Sequence, residues 1–345
     1  MSATTETNTP AADAPAQIAC VQASNIALNE AMAADPNVVV FGEDVADREG
    51  GGIMGATRGL STTYGDLRVR STPIAEQAII GAAVGAAIAG LRPVAEIMLM
   101  NFITVAMDQI VNHAAKLRYM SGGATAVPLT IRTMTGIGAG LGGQHSDMYE
   151  AWLAHAPGMK VVVPSNPADW QGLLTSCIFD DDPCVFVEST MLLGSMGPAA
   201  PTGHRVPLGK ANILREGTDV TLIGYGRPIR DGLAVAEKLA EDGISVEVLD
   251  LRSIVPLDEE AIFRSVAKTG RAVVIHEAVK RFGVGAEVSS RIHEELFGQL
   301  HAPVGRIGSP YAPVPFSSSL EQLYAWSPDS IEAELRKSLD GKVSR

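Results

Sequence analysis

Apolar runs separated by stretches of helical spacing constrain this chain more than any single motif. NVVVFGED at 37–44, RPVAEIML at 92–99, AVPLTIRT at 126–133 and KVVVP at 160–164 each read as a strand. The first stays apolar until it closes on two acids, the pattern of a strand buried on both faces. Between these runs the spacing predicts helices. One stops at Asp35-Pro36, and one lies inside 72–91 with Pro73 in its first turn and Gly90 at its exit. Two more fall near 104–120 and near 147–155. Strand and helix in alternation give a parallel sheet covered on both sides.

The alternation begins again near residue 210. DVTLIGYG, SVEVLDLR and RAVVIHEA read as strands, and IRDGLAVAEKLAEDG, EEAIFRSVAKTG and GAEVSSRIHEELF as helices. A Pro/Gly-rich stretch, GSMGPAAPTGHRVPLG at 194–209, separates the two series. A chain of 345 residues is long enough for two cores. The expectation is α/β throughout, with two tandem three-layer domains over 19–194 and 210–345 and a linker over 195–209. An Ala/Thr/Pro-rich tail over 1–18 is expected to be disordered.

The net charge of −12 excludes nucleic acid and an anionic membrane surface as partners, because both require a basic face. Three cysteines, Cys20, Cys177 and Cys184, have no paired spacing, which fits a reducing compartment and excludes a cysteine-type zinc site. The segment 77–91 is too short, and too rich in Gly and Ala, to span a membrane. With neither a secretory signal nor an Arg-rich leader, the cytoplasm is the expected location.

Within TPIAEQAIIGAAVGAAIAGL, starting at Thr72, the one charged side chain is Glu76. An acid in a first helical turn is favoured by the helix dipole, worth about 0.3–1 kcal/mol. Here the surroundings are apolar and no Lys or Arg lies within a turn, so the carboxylate is expected to be shielded and to need a partner. A ligand nitrogen that exchanges a proton would serve. His145, in GGQHSD after five glycines between 136 and 143, is read either as an acid/base group or as part of a helix cap. His113 and His155 read as packed and structural. His276-Glu277 ends a strand, where α/β proteins place ligands or subunit contacts. GAGLGG at 138–143 fits a dinucleotide pattern only loosely, and LIGYGRPI has Ile229 in place of the third glycine, which argues against a nicotinamide enzyme. No phosphate-cradling GxxxxGK[ST] occurs.

VFGEDV, TPIAEQAIIGAAVGAAIAGLRPVAEI, NFITVAMDQIVNHAAKLRYMSGG, GGQHSDMYEAWLAHAPGMKVVVPSNPADWQGLL, VLDLRSIVPLD and FGVGAEV occur in this order. Together they resemble the beta subunit of the thiamine diphosphate-dependent 2-oxo acid dehydrogenases, over roughly 18–340. The resemblance implies a transketolase-like pyrimidine-binding domain followed by a transketolase C-terminal-like domain. It implies that Glu76 is the acid held against a ring nitrogen of the coenzyme, driving the amino-to-imino shift that activates the thiazolium carbon. Phe102 corresponds to the aromatic that stacks on the pyrimidine and Ile74 to a wall of the same pocket. His145 corresponds to a histidine near the substrate and the acyl-lipoyl path, and Glu43 to a buried acid that passes protons between the two active sites.

The family binds the diphosphate and Mg²⁺ through Gly-Asp-Gly and a later asparagine. No Gly-Asp-Gly occurs here. The resemblance therefore implies an alpha subunit that supplies those ligands, a heterotetramer of two alpha and two beta chains, and docking on a lipoyl acyltransferase core. It leaves room for a structural potassium ion. The implied reaction is oxidative decarboxylation of a 2-oxo acid with acyl transfer to lipoyl-lysine. SPYAPVPFSSSLEQLY and GGGIMGATRGL look more like members handling pyruvate or acetoin than branched-chain substrates. A scaffold that lost catalysis is disfavoured by the presence of Glu76, Phe102 and His145. A split transketolase is disfavoured by the absence of basic residues in GGQHSDMYEAW.

Overall fold

In the computed structural model, which describes residues 16–340, the apolar runs become two separate sheets. In chain order the strands are β1 (Gln17–Ala19), β2 (Val38–Gly42), β3 (Val69–Ser71), β4 (Arg92–Leu99), β5 (Thr130–Thr135), β6 (Lys160–Val162), β7 (Cys184–Ser189) and β8 (Met196–Pro198). Six more follow: β9 (Asn212–Arg215), β10 (Val220–Gly224), β11 (Val246–Asp250), β12 (Ser253–Val255), β13 (Ala272–Val279) and β14 (Gly305–Ser309). The α-helices are α1 (Cys20–Ala34), α2 (Leu60–Tyr64), α3 (Glu76–Ile88), α4 (Ala115–Met120), α5 (Glu150–Ala154) and α6 (Pro167–Ile178) in the first half. The second half holds α7 (Gly226–Glu241), α8 (Glu259–Thr269), α9 (Val284–Leu296), α10 (Ser318–Tyr324) and α11 (Pro328–Leu339).

The larger sheet runs β12-β6-β7-β5-β4-β2-β3 and is parallel except for its edge strand β12. The smaller runs β14-β13-β10-β11-β9, parallel except for β9. β12 belongs by sequence to the second half but adds to the first half's sheet. The turn before it is held by Arg252, whose guanidinium donates to both oxygens of Asp169 on α6, at 2.9 and 2.5 Å. One apolar core is continuous across the halves, from Ile79 and Ile80 of α3 through Val185 and Val187 to Tyr225, Leu249 and Ile292. Two units that share a core of this kind do not move freely against each other.

Several expectations change in detail. Residues 1–15 of the expected tail lie outside the described residues. Gln17 and Ile18 belong to β1, which pairs antiparallel with β8 inside the expected linker. Pro73 precedes α3 instead of occupying its first turn, since the helix opens at Glu76 behind Ala75. The single helix expected near 104–120 is three pieces: a 3₁₀ turn at Met100–Ala106, a π-helical turn at Gln109–Ala114, then α4. Such bulges recur at functional sites. His113 and His155, expected in the interior, are both exposed, and His113 lies 3.7 Å from the Asp108 carboxylate.

The shielding expected for the whole of α3 holds on one side. Glu76, Ile79, Ile80, Ala83, Val84 and Ala87 are buried, while Ala78, Ala82, Gly85 and Ile88 form an exposed apolar strip.

Candidate active site

Strands β2, β3, β4 and β5 run parallel, so their carboxyl ends share one edge of the sheet. That edge is where open α/β sheets seat their ligands. Glu43 follows β2 directly, Phe102 lies three residues past β4, and His145 ten residues past β5. Glu76 lies five residues past β3, at the head of α3. Topology alone thus gathers four of the five residues named from the sequence.

Glu76 is 9% exposed, and Ala75 before it caps the helix without a side-chain acceptor. Among the described residues no donor reaches its carboxylate. Ile74, two residues earlier, is 82% exposed and lies on the surface of this chain, not in an enclosed wall. Glu43 is half-buried, and its carboxyl is held above the ordinary range. Loss of water comes first among the causes, followed by the negative charges of Glu76, Asp44 and Glu96.

Beneath Glu43 lies a buried ion triad. Arg132 of β5 donates from Nη1 to Glu96 Oε2 at 2.6 Å. It also meets Glu188 of β7 through Nη2, at 2.9 and 2.8 Å from the two oxygens. Burial pushes the Glu96 carboxyl up, and the Arg132 charge offsets part of that rise. The Ser24 hydroxyl donates to Glu188 Oε1 at 2.6 Å, and Trp170 Nε1 donates to Ser24 at 2.7 Å. Both Glu188 oxygens are filled in this way, while Glu96 Oε1 is buried with no partner among the described residues. A buried ion set persists only where most of its hydrogen bonds are made.

The 3₁₀ turn that packs on α3 carries Phe102, whose ring meets His145 edge to face with centroids 5.4 Å apart at 78°. Neighbouring Asn101 fastens the histidine segment. Its amide donates to Asp147 Oδ2 at 2.9 Å and to the Gly143 carbonyl at 3.3 Å, and it accepts from the Asp147 amide at 3.2 Å. The Tyr149 hydroxyl donates to Asp147 at 3.1 Å, and burial with that carboxylate pushes its pKa up to about 12. His145 Nδ1 is buried and has no hydrogen-bond partner among the described residues.

The edge therefore presents an unpaired carboxylate, a second acid of raised proton affinity, an aromatic ring and an imidazole with one free nitrogen. It can exchange protons with a ligand and hold a flat ring. Cavities of about 560, 570 and 630 Å³ are lined by other residues. Among the described residues no group of three or more His, Cys, Asp or Glu is arranged to hold a metal ion, and no helix is long and apolar enough to cross a membrane.

Sequence reading put His276-Glu277 at a strand end, where ligands or subunit contacts lie; β13 runs on to Val279. His276 is fully buried, stacks parallel to Tyr225 at 6.5 Å, and is pushed down to about 4 by loss of water. Glu277 instead reaches the glycine loop before His145, accepting from the Ile137 amide at 2.5 Å. Sequence reading missed Asn101, Asp147 and Glu321, which also hold that loop. The contacts of Asn101 with Gly143 and Asp147 and of Glu321 with Gly138 span 42 to 183 positions, so no local pattern announces them.

Residues 16–196 match the family described as transketolase, pyrimidine binding domain, and residues 209–331 the one described as transketolase, C-terminal domain. The chain is 42% identical over 327 residues to acetoin:2,6-dichlorophenolindophenol oxidoreductase subunit beta of Cupriavidus necator, covering 92% of this chain and 96% of that protein. It is 45% identical over 314 residues to pyruvate dehydrogenase E1 component subunit beta-2, mitochondrial, of Oryza sativa subsp. japonica, covering 90% and 83%. Its fold is similar to a solved structure described as split gene transketolase, inactive beta4 tetramer, with a TM-score of 0.76 and 23% identity over 94% of this chain and 99% of that one.

Proposed function

Because the chain belongs to the transketolase-like family of thiamine diphosphate-dependent dehydrogenase beta subunits, we propose that it is one half of an oxidative decarboxylase acting on a 2-oxo acid, with pyruvate as the substrate. The acyl group passes to lipoyl-lysine on an acyltransferase core. The enzyme works only when an alpha subunit completes it, as two alpha and two beta chains. Residues 19–194 form the pyrimidine-binding domain, 195–209 the linker and 210–345 the transketolase C-terminal-like domain. The cytoplasm is its location, a reading supported by three free, buried cysteines.

The observation that carries this reading is the Glu76 carboxylate, nearly buried and unpaired, on the same sheet edge as Phe102 and His145. An acid desolvated to that degree is costly unless a ligand supplies its partner. The donor set fits the pyrimidine end of thiamine diphosphate: one acid for a ring nitrogen, one aromatic ring for its face. It offers no cation for a diphosphate, which supports assigning that end and Mg²⁺ to the partner chain. When bound, the coenzyme supplies a carbon nucleophile that also accepts the electrons released by decarboxylation.

In this scheme Glu76 holds a proton against the ring nitrogen and gives it up reversibly, the work of a positioned general acid. Phe102 fixes the ring plane. His145, with its free nitrogen, moves a proton at the substrate or the lipoyl group. Glu43, whose proton affinity is raised beside Glu76, passes the proton onward. Ile74 is surface in this chain, and the alpha subunit covers it.

Co-expression with the tag on this chain, followed by assay of the purified particle with pyruvate, acetoin and a branched-chain 2-oxo acid, tests the reading. Pyruvate-dependent acylation of a lipoyl acceptor is expected. A preference for acetoin or the branched-chain acid moves the chain to that sister activity. A coenzyme-loaded particle inert toward all three contradicts the proposal.

A further inference from the structure

The loop from Gly136 to Gly143 lies in the first half, but it is held by side chains of the second. Glu277, near the end of β13, accepts from the Ile137 amide at 2.5 Å. Glu321 of α10 accepts from the Gly138 amide at 2.7 Å and from the Gly140 amide at 3.0 Å. Arg227 of α7 donates to the Ile137 carbonyl at 2.8 Å. The amides of Ile137, Gly138 and Gly140 and the carbonyl of Ile137 are the loop's principal anchors, and the three bonded N–H groups all meet carboxylates.

The sequence explains how the loop can do this. Gly138 and Gly140 sit at φ 116° and 67°, a region that turns successive N–H groups toward one side and makes a backbone nest for an anion. Both carboxylates are buried, Glu277 at 3% and Glu321 at 4% exposure, and Glu321 has no salt-bridge partner among the described residues. Its charge is met by main-chain dipoles instead, an arrangement that loses its balance if the loop moves. Burial pushes Glu277 up to about 7, with the Ile137 amide and Arg227 opposing the rise.

Apolar contacts lock the same geometry. A Cβ on Gly142 would collide with the Phe316 ring, and Gly143 lies against Pro313 and Val314. Ile137 shares a small core with Val314 and Tyr324. The backbone then continues directly to His145, whose amide donates to the Gly142 carbonyl at 3.2 Å.

We propose that Glu321 and Glu277 are positioning residues, two carboxylates of the second domain that set the backbone of the 136–143 loop and thereby place His145 for reaction. The proposal rests on the role given to His145 above. It gives the second domain a part in catalysis separate from any contact between subunits.

The test uses the enzyme assembled with its alpha subunit, in four forms: parent, Glu321→Gln, His145→Ala and the double variant. Glutamine keeps the size of the side chain but turns one acceptor into a donor facing an N–H, so one loop amide loses its partner. The expected result is about tenfold slower turnover for Glu321→Gln, with KM for the 2-oxo acid unchanged and no further loss when it is added to His145→Ala. Amides 137–140 should exchange with solvent about tenfold faster in Glu321→Gln. An equal loss in the parent and His145→Ala backgrounds overturns the proposal, as does unchanged amide exchange. Full turnover by His145→Ala contradicts the reading of His145 instead, and the clasp is then decided by the exchange of the three bonded amides alone. Should Glu321→Gln fail to fold, Glu277→Gln is put through the same cycle, with the Ile137 amide as its reporter.

Discussion

Glu43 carries its proton more tightly than an ordinary carboxyl, and after burial the charge of Glu76 is the foremost cause. The two acids sit at the end of β2 and the head of α3, within electrostatic reach of each other. Removing the Glu43 charge while keeping its shape should leave assembly and coenzyme binding intact. Turnover of Glu43→Gln is expected to fall by about tenfold, the scale of a lost proton relay and not of the principal acid. Steady-state rates of the assembled particle check this, and an unchanged rate removes Glu43 from the proton path.

Arg132 is 2% exposed between Glu96 and Glu188. Replacing it with methionine leaves two buried carboxylates and no cation. The cost expected is roughly 3–5 kcal/mol, enough to shift the denaturation midpoint far to lower denaturant. A loss below about 1 kcal/mol would mean that the triad is solvated in ways its burial does not indicate.

Glu150 is fully buried. Its Oε1 accepts from the Tyr225 hydroxyl at 2.8 Å and its Oε2 has no partner among the described residues. Burial pushes its pKa up to about 7. In the unfolded chain the carboxyl titrates near 4.3. Between those values the folded chain keeps a proton that the unfolded chain has lost, so stability falls as pH rises through the window and stays reduced above it. Asp250 and Glu277, also raised to about 7, act in the same direction. Glu150→Gln should gain on the parent by up to ~3 kcal/mol between pH 4 and pH 8. Parallel pH curves for variant and parent would contradict the assignment.

The strip Ala78, Ala82, Gly85 and Ile88 along α3 is apolar and exposed in the single chain. Small residues at helical spacing let another backbone approach closely, and a contiguous apolar strip of this kind marks an interface. Ala82→Glu should abolish assembly, seen as a shift to smaller particles on size exclusion, while the melting temperature of the isolated chain stays unchanged. Normal assembly would place the subunit contact elsewhere.

Much of the fold is legible because buried parallel strands leave a local signature. β2, β4, β10, β11 and β13 are apolar runs, and α8 ends as its sequence says, at Gly270 in the left-handed region. α6 leaves no such mark, since ten of its twelve residues are buried and no polar face shows the period. β12 is three residues long and joins the other half's sheet, a pairing that nothing in Ser-Ile-Val encodes. The apolarity of α3 has two meanings, core on one side and uncovered surface on the other, which composition does not separate. Glu76 is legible for the opposite reason: it is a lone charge in an apolar setting. The glycine loop before His145 is visible as a loop, but Glu321, 181 and 183 positions from the amides it holds, is not.

The most direct measurement is the rate at which the thiazolium carbon of bound thiamine diphosphate exchanges its proton with deuterated water, in the assembled particle carrying Glu76→Gln. The account predicts an intact particle that binds coenzyme and exchanges that proton about 10²–10⁴-fold more slowly than the parent. Exchange at the parental rate in an intact, loaded particle would contradict it.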